Sequence, residues 1–113
     1  MGGIIERGDI VTVVSPADFG KPRPAVVIQG NAINQRQPKS TIVAVITSTL
    51  RDAPLLRLTV DPTPESGLQT RSQIQSNRIM SIRSKRVGTR IGRLTDPQLV
   101  ELNRLLALAI GSA

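Results

Sequence analysis

The chain has 113 residues and a formal net charge of +7 at pH 7. It contains neither cysteine nor histidine, which excludes disulfides, thiolate zinc sites, a cysteine nucleophile and an imidazole base. Any catalysis must use Arg, Lys, Asp, Glu, Ser or Thr, and the excess of positive charge favours an anionic partner, most simply a nucleic acid. No apolar run reaches transmembrane length and the first residues lack a signal peptide, so we expect a soluble cytoplasmic protein.

The first half of the chain contains three runs that predict strands. They are residues 9–14, 24–29 and 41–47, all rich in Val and Ile. The second and third runs are continuously apolar, which predicts strands buried on both faces. The turn-rich segment 15–22 and the polar segment 30–40 are predicted to be loops.

The second half begins with a half-exposed strand, predicted from the alternation of apolar and polar residues over 56–60. After a turn cluster, residues 71–75 are predicted to form a strand with a polar face made of Arg71, Gln73 and Gln75. We expect that face to bind an anion rather than to lie in the core. Residues 78–82 are predicted to extend this strand, and residues 87–91 are predicted to be the last one.

The end of the chain predicts a helix. Thr95 and Gln98 have the spacing of a capping box, and Gly111 is a suitable stop. The predicted apolar face comprises Leu99, Leu102, Leu106, Ala109 and Ile110. We therefore expect one domain over residues 1–113, mainly β (α+β). It would be a strongly bent antiparallel sheet or small barrel of about five to seven strands with a C-terminal amphipathic helix.

Two basic features are candidates for function. Arg23 stands between two prolines at the start of a predicted buried strand, where a stiffly held guanidinium suits a phosphate or a carboxylate. The alternative is a solvated arginine at a strand start. Residues 71–93 contain seven basic and no acidic residues, which predicts a surface of a single sign.

Several short segments together resemble a known family. They are Arg7-Gly8-Asp9-Ile10-Val11, the segment from Arg23-Pro24 to Gln29, Asn34, residues 42–48, Gly67-Leu68 and residues 90–94. In order and spacing, over roughly residues 6–111, the chain resembles the MazF/PemK (Kid) family of toxins from type II toxin–antitoxin systems.

The resemblance implies an SH3-like barrel and a homodimer. It also implies cleavage of single-stranded RNA (mRNA) at short sequences, without a metal or cofactor, which inhibits translation and growth. Catalysis in the family maps onto Arg23 and Thr47. The RNA-binding positions that we predict are Ser15, Lys21, Gln29, Asn34, Ser48, Arg71, Gln73, Asn77 and Arg78. A cognate antitoxin with an acidic, disordered tail would occupy the same basic groove.

The chain departs from the family at Asn77-Arg78, where many members have an acidic residue followed by Gln, and this bears on base preference. Arg23 suits charge stabilisation or proton delivery, whereas no residue is assigned as the general base. Two alternatives remain at this stage. One is a gyrase-poisoning toxin like CcdB, although such chains lack the Arg-Pro and Thr pair and end in a Trp-containing tail. The other is a non-catalytic RNA-binding barrel.

Overall fold

The computed structural model describes residues 3–15 and 19–113, and within them six strands form one antiparallel sheet. The strands are β1 (Asp9–Val14), β2 (Pro22–Val27), β3 (Ser40–Thr47), β4 (Arg57–Val60), β5 (Ser72–Arg83) and β6 (Val87–Arg93). Their order across the sheet is β4-β5-β3-β2-β1-β6. Two α-helices, α1 (Asn31–Asn34) and α2 (Asp96–Ala109), and a 3₁₀ turn (Ser84–Arg86) complete the fold. The predicted mainly β fold with a C-terminal helix is confirmed.

Apolar side chains bury both faces of the sheet. Successive residues of a strand point to opposite faces, so Ile10 and Val11 enter different clusters. The Ile10 cluster includes Leu102 of α2, and it comprises Ile10, Val26, Ala44, Ile46, Val60, Leu68, Ile74, Leu94 and Leu102. The Val11 cluster comprises Val11, Val13, Ala25, Val27, Val43, Ile82 and Val87. This two-sided burial is the reason that β2 and β3 are continuously apolar in sequence.

The sheet is not closed into a barrel by a hydrogen-bonded ladder, because β4 and β6 are its two edges. Instead, the connection that follows β4 contacts β6 through its backbone. The Arg93 amide donates to the Glu65 carbonyl oxygen at 2.7 Å. A Cβ at Gly92 would collide with the backbone of Ser66 and Glu65, so only glycine permits this approach.

Helix α2 begins and ends as predicted from its flanking residues. Thr95 and Gln98 form a reciprocal capping box. At the other end Gly111 adopts φ +78°, and the Ser112 amide donates to the Ala107 carbonyl oxygen at 2.8 Å. The buried face differs from the prediction, because Leu105 is buried whereas Ile110 is 68% exposed.

A further difference concerns one of the predicted loops. The segment predicted as the loop 30–40 contains the single helical turn α1. The strand predicted at 71–75 and its predicted extension over 78–82 form one continuous strand, β5. Among the described residues, no helix is long and apolar enough to cross a membrane.

Candidate functional site

A groove of about 720 Å³ lies at the end of the sheet where β2 begins and β3 ends. Its walls come from β1, β2, β3 and β5, together with the segment 67–70 that follows the connection after β4. Four of the predicted site residues line the groove. They lie on β2, β3 and β5 or directly after β3, and they are Arg23, Thr47, Ser48 and Arg78. Ser15, at the end of β1, lines it as well.

The last residue pair of β2 and β3 lies two residues from Arg23 along one strand and two residues from Thr47 along the other. Val13 pairs with Arg23, and Thr47 pairs with Gln73. Between them, β2 and β3 are registered as Ala25 opposite Val45. The same register carried two residues further would set Arg23 opposite Thr47, on the face that carries Ala25.

The prolines beside Arg23 explain why a groove opens at this point. The Val27 carbonyl oxygen accepts from Gly8 on the β1 side, and the Ile28 amide donates to Ile42 on the β3 side. Alternation along β2 therefore turns the backbone of Pro22 and Pro24 toward β3. Because proline has no N–H, it cannot donate to that strand. The recorded β2–β3 pairing accordingly ends at Ala25.

The hydroxyl of Thr47 is held by a local turn. Its Oγ1 accepts a hydrogen bond from the Thr49 amide at 3.1 Å. A hydroxyl that accepts one bond still has its own proton to donate. Thr47 is half-buried, whereas Ser48 and Thr49 are exposed. The end of β3 thus offers an oriented O–H donor to the groove.

An irregularity in β5 brings Arg78 into the same groove. From Ala44 to Ile46 the partner residues on β5 run from Ile79 to Ile74, so β5 carries extra residues there. Such a bulge bends the strand and changes which side chains share a face. Ser76 anchors it, because its amide and its Oγ both donate to the Leu56 carbonyl oxygen, at 2.9 and 2.7 Å.

The bulge also places Gln75 in the groove wall, and this residue was not among the predicted site residues. Gln75 is only 5% exposed, and its Oε1 accepts from Arg57 Nη2 at 3.2 Å. Its Nε2 is buried without a hydrogen-bond partner in the described part of the chain. The signal in the sequence was the polar face of residues 71–75, but its burial was not foreseen.

Gln73, on the same polar face, is a structural cross-link. Its Oε1 accepts from the Arg51 amide and from Arg57 Nη1, both at 3.0 Å. Its Nε2 donates to the Arg51 carbonyl oxygen at 3.0 Å and to Thr59 Oγ1 at 3.3 Å. Gln73 is 7% exposed and does not line the groove. We predicted that the polar face at Gln73 and Gln75 would bind an anion. In the structure, this face is buried.

Two predicted site residues lie in a separate buried network. Gln29 Nε2 donates to Asn34 Oδ1 at 3.0 Å, and Asn34 Nδ2 donates to the Gln29 carbonyl oxygen at 2.8 Å. Thr41 is also within reach of Asn34 Oδ1, at 3.4 Å. This network follows the C-terminal end of β2, whereas Arg23 lies near the N-terminal end. Gln29 and Asn34 therefore do not line the groove.

The remaining predicted residues are exposed and lie outside the groove lining. Lys21 and Asn77 flank Pro22 and Arg78, which do line it. Arg71 is ion-paired with Asp61, with 3.1 Å between Nε and Oδ1. Arg90 and Arg93 also have an acidic partner, the fully buried Asp9, at 3.7 and 3.0 Å.

The charge that faces the groove is positive. Arg23 and Arg78 are both exposed and line it, and no carboxylate is found among the described lining residues. Within the described ranges, no cluster of acidic side chains could hold a metal ion. The groove therefore presents guanidinium, hydroxyl and amide donors, which is an arrangement suited to a phosphate-bearing chain.

Comparison with known proteins identifies the family to which the chain belongs. The family described as the PemK-like, MazF-like toxin of type II toxin–antitoxin systems matches residues 6–110. The chain belongs to this family, and the predicted membership is confirmed. A probable endoribonuclease MazF from Mycolicibacterium smegmatis is 34% identical over 110 residues, covering 96% of this chain and 99% of that protein. The prediction of a toxin endoribonuclease is thereby confirmed at the level of the family.

Solved structures share the fold at lower sequence identity. An endoribonuclease in complex with its cognate antitoxin from a mycobacterial species has a TM-score of 0.80 at 19% identity, covering 96% of this chain and 97% of that one. The Mycobacterium tuberculosis toxin MazF-mt6 has a TM-score of 0.79 at 21% identity, covering 93% and 98%. A MazE–MazF structure from Deinococcus radiodurans has a TM-score of 0.78 at 18% identity, covering 98% and 99%.

Proposed function

We propose that the chain cleaves single-stranded RNA, which in the cell is mRNA, without a metal or cofactor. The cut would take place in the groove, between Arg23 and Thr47. The observation that carries this proposal is the convergence of Arg23, Thr47 and Arg78 on one groove with no lining carboxylate in the described residues. RNA supplies its own nucleophile, the 2′-OH, so the protein needs to position the chain and to stabilise charge. Cleavage of mRNA would inhibit translation and growth.

In the proposed reaction, the 2′-oxygen attacks the adjacent phosphorus and the bond to the 5′-oxygen breaks. The products are a 2′,3′-cyclic phosphate and a 5′-OH end. The Arg23 guanidinium is a fork of donors for the non-bridging oxygens, on which charge accumulates in the pentavalent transition state. The Thr47 hydroxyl donates to the same oxygens. We assign no residue as the general base.

The other groove residues are proposed to hold the RNA on either side of the cut. Arg78 and Ser48 offer donors for phosphate oxygens, and Ser15 lies at the β1 end of the groove. Lys21, Arg71 and Asn77 are exposed beside this path, and we propose that they contact the RNA backbone outside the groove. No RNA contact is proposed for Gln29, Asn34 or Gln73, because their amides are engaged in buried hydrogen bonds.

The test is incubation of the purified protein with single-stranded RNA in EDTA, with the fragments resolved and their ends sequenced. We expect discrete cuts by the wild type and a fall of about 100- to 1,000-fold in rate for Arg23→Ala, since one preorganised donor to a developing negative charge is removed. Arg23→Lys keeps the charge but loses the fork, and should fall between the two. Uncut RNA with folded wild-type protein would refute the proposal.

A matched control is Arg36→Ala. Arg36 is exposed and lies outside the groove lining. We expect its rate to equal that of the wild type. The assay also separates the alternatives, because an RNA-binding barrel or a gyrase-poisoning toxin would leave the RNA intact.

We further propose three properties of the whole protein. An acidic, disordered tail of a cognate antitoxin would bind the positive groove and compete with RNA. The protein would act as a homodimer. The exposed Ile42 and Ile79 on neighbouring strands offer an apolar contact for a second copy. Residues 1–113 would act as one domain in the cytoplasm, where mRNA is found.

A further inference from the structure

Gln75 is the one buried polar side chain of the groove wall with an atom left unsatisfied in the described structure. Its Nε2 has no partner although the residue is 5% exposed and lines the groove. Buried donors are almost always hydrogen-bonded, because a donor without a partner has lost its bonds to water. An orphan donor beside a binding groove therefore points to a partner that arrives with the ligand.

The orientation of the Gln75 amide is fixed by Arg57. The amide oxygen accepts from Arg57 Nη2 at 3.2 Å. Rotating the amide by half a turn would set its N–H groups against the guanidinium, which has donors only. The oxygen must therefore face Arg57, and the nitrogen must face away from it.

Arg57 is in turn held in place by two other bonds. Its Nη1 donates to the Thr49 carbonyl oxygen at 2.8 Å and to Gln73 Oε1 at 3.0 Å. On the other side, Ser76 secures the backbone next to Gln75 through two bonds to Leu56. The Gln75 donor is thus held in one orientation. Because the Nε2 atom is itself buried, a ligand acceptor reaches it only when neighbouring side chains of the groove wall move aside.

We propose that Gln75 Nε2 reads one base of the RNA by donating to a keto oxygen. The inference rests on the proposed function, whose phosphate contacts are left to the charged donors Arg23 and Arg78. A neutral amide suits an uncharged base edge. Because the atom left without a partner is the Nε2 donor, Gln75 selects an acceptor. It therefore favours O4 of uracil or O6 of guanine over cytosine and adenine, which carry an amino group at those positions.

The experiment compares wild-type protein with two variants on a random RNA pool, with all cut sites sequenced. We expect one position near the cut to favour U or G over C and A by about tenfold to a hundredfold, the range of a good base contact. Gln75→Leu removes the donor. It should abolish the preference at that position and leave the preferences at all other positions unchanged. Gln75→Glu replaces the donor by an acceptor and should favour C or A at the same position.

A second pool made of 2′-fluoro RNA separates this inference from the cleavage proposal, because it lacks the attacking hydroxyl and can only bind. Enrichment of U or G at one position in the bound wild-type fraction, lost in Gln75→Leu, would support the role of Gln75 even if no RNA were cut.

Gln35→Leu is the matched control, since Gln35 is exposed and outside the groove lining, and it should keep the wild-type preference. If folded Gln75→Leu and Gln75→Glu proteins both keep the wild-type preference, or if the wild type shows no keto preference in either pool, the proposal is overturned.

Discussion

The Thr47 side chain provides a test at the scale of a single residue. Thr47→Val keeps the β-branched shape and removes only the hydroxyl. We expect the rate of RNA cleavage to fall about 10- to 100-fold, because a donor to the developing charge is lost. The melting temperature should change little, since Oγ1 accepts a single exposed bond from Thr49. Thr47→Ser, which restores the hydroxyl, should recover most of the rate.

The control for this pair is Thr89→Val on β6, at an exposed position outside the groove lining. It should cleave like the wild type. Equal rates for Thr47→Val and Thr89→Val would remove Thr47 from the reaction.

Gln73 and Gln75 show at the same scale why polarity along a strand is an incomplete guide. Alternating Arg71, Gln73 and Gln75 predicted a face open to an anion. The structure buries the two glutamines because Arg57 on the neighbouring strand β4 reaches across and binds both amide oxygens. That partner lies 16 and 18 residues earlier in the chain, so no local pattern could indicate it.

Among the secondary-structure elements, β1 and β3 were predicted to within one residue, since runs of β-branched residues define their ends. The extension of β5 over residues 78–82 was foreseen, whereas its bulge was not, because the bulge interrupts the alternation on which the prediction relies. The same bulge explains the site, since it lets Gln75 and Arg78 line one groove. The pairing of Arg23 with Thr47 came from the family resemblance, and the register of β2 and β3 is compatible with it.

The contact between β6 and the connection after β4 yields a test of how the open sheet is held. Gly92→Ala would place a methyl group against the backbone of Ser66 and Glu65, which cannot move aside without breaking the Arg93 to Glu65 bond. We expect a loss of about 1–3 kcal/mol in the free energy of unfolding, measured with urea. Gly30→Ala is the control, since Gly30 has open space and an ordinary φ of −61°. A Gly92→Ala protein as stable as that control would contradict this account.

At the scale of the whole molecule, the net charge of +7 acts on the groove through the arginines that line it rather than through the entire basic run. Arg71, Arg90 and Arg93 are partnered by acidic residues, whereas Arg78 lines the groove. We expect binding of 2′-fluoro single-stranded RNA to weaken steeply with salt. Arg78→Ala should reduce the slope of log K against log salt by about 0.7, the value for one phosphate contact. An unchanged slope, equal to that of Arg36→Ala, would place Arg78 outside the RNA path.

The order of the strands in the sheet could not be predicted from the sequence, because it depends on contacts between residues far apart in the chain. β1 and β6 pair although Asp9 and Arg93 are 84 residues apart, and their contact is fixed by a buried carboxylate that binds two arginines. Composition and alternation indicate how many strands there are and which are buried. They do not indicate which strands are neighbours, or that a backbone contact replaces closure of the barrel.

Because Pro24 has no N–H to donate, the pairing of β2 with β3 ends at the place where the site lies. Arg23 belongs to the group of strands formed by β6, β1 and β2, whereas Thr47, Gln75 and Arg78 belong to the group formed by β3, β5 and β4. The position of Arg23 relative to Thr47 therefore depends on the β2–β3 pairing over Ala25 to Val27, which joins the two groups of strands next to the site.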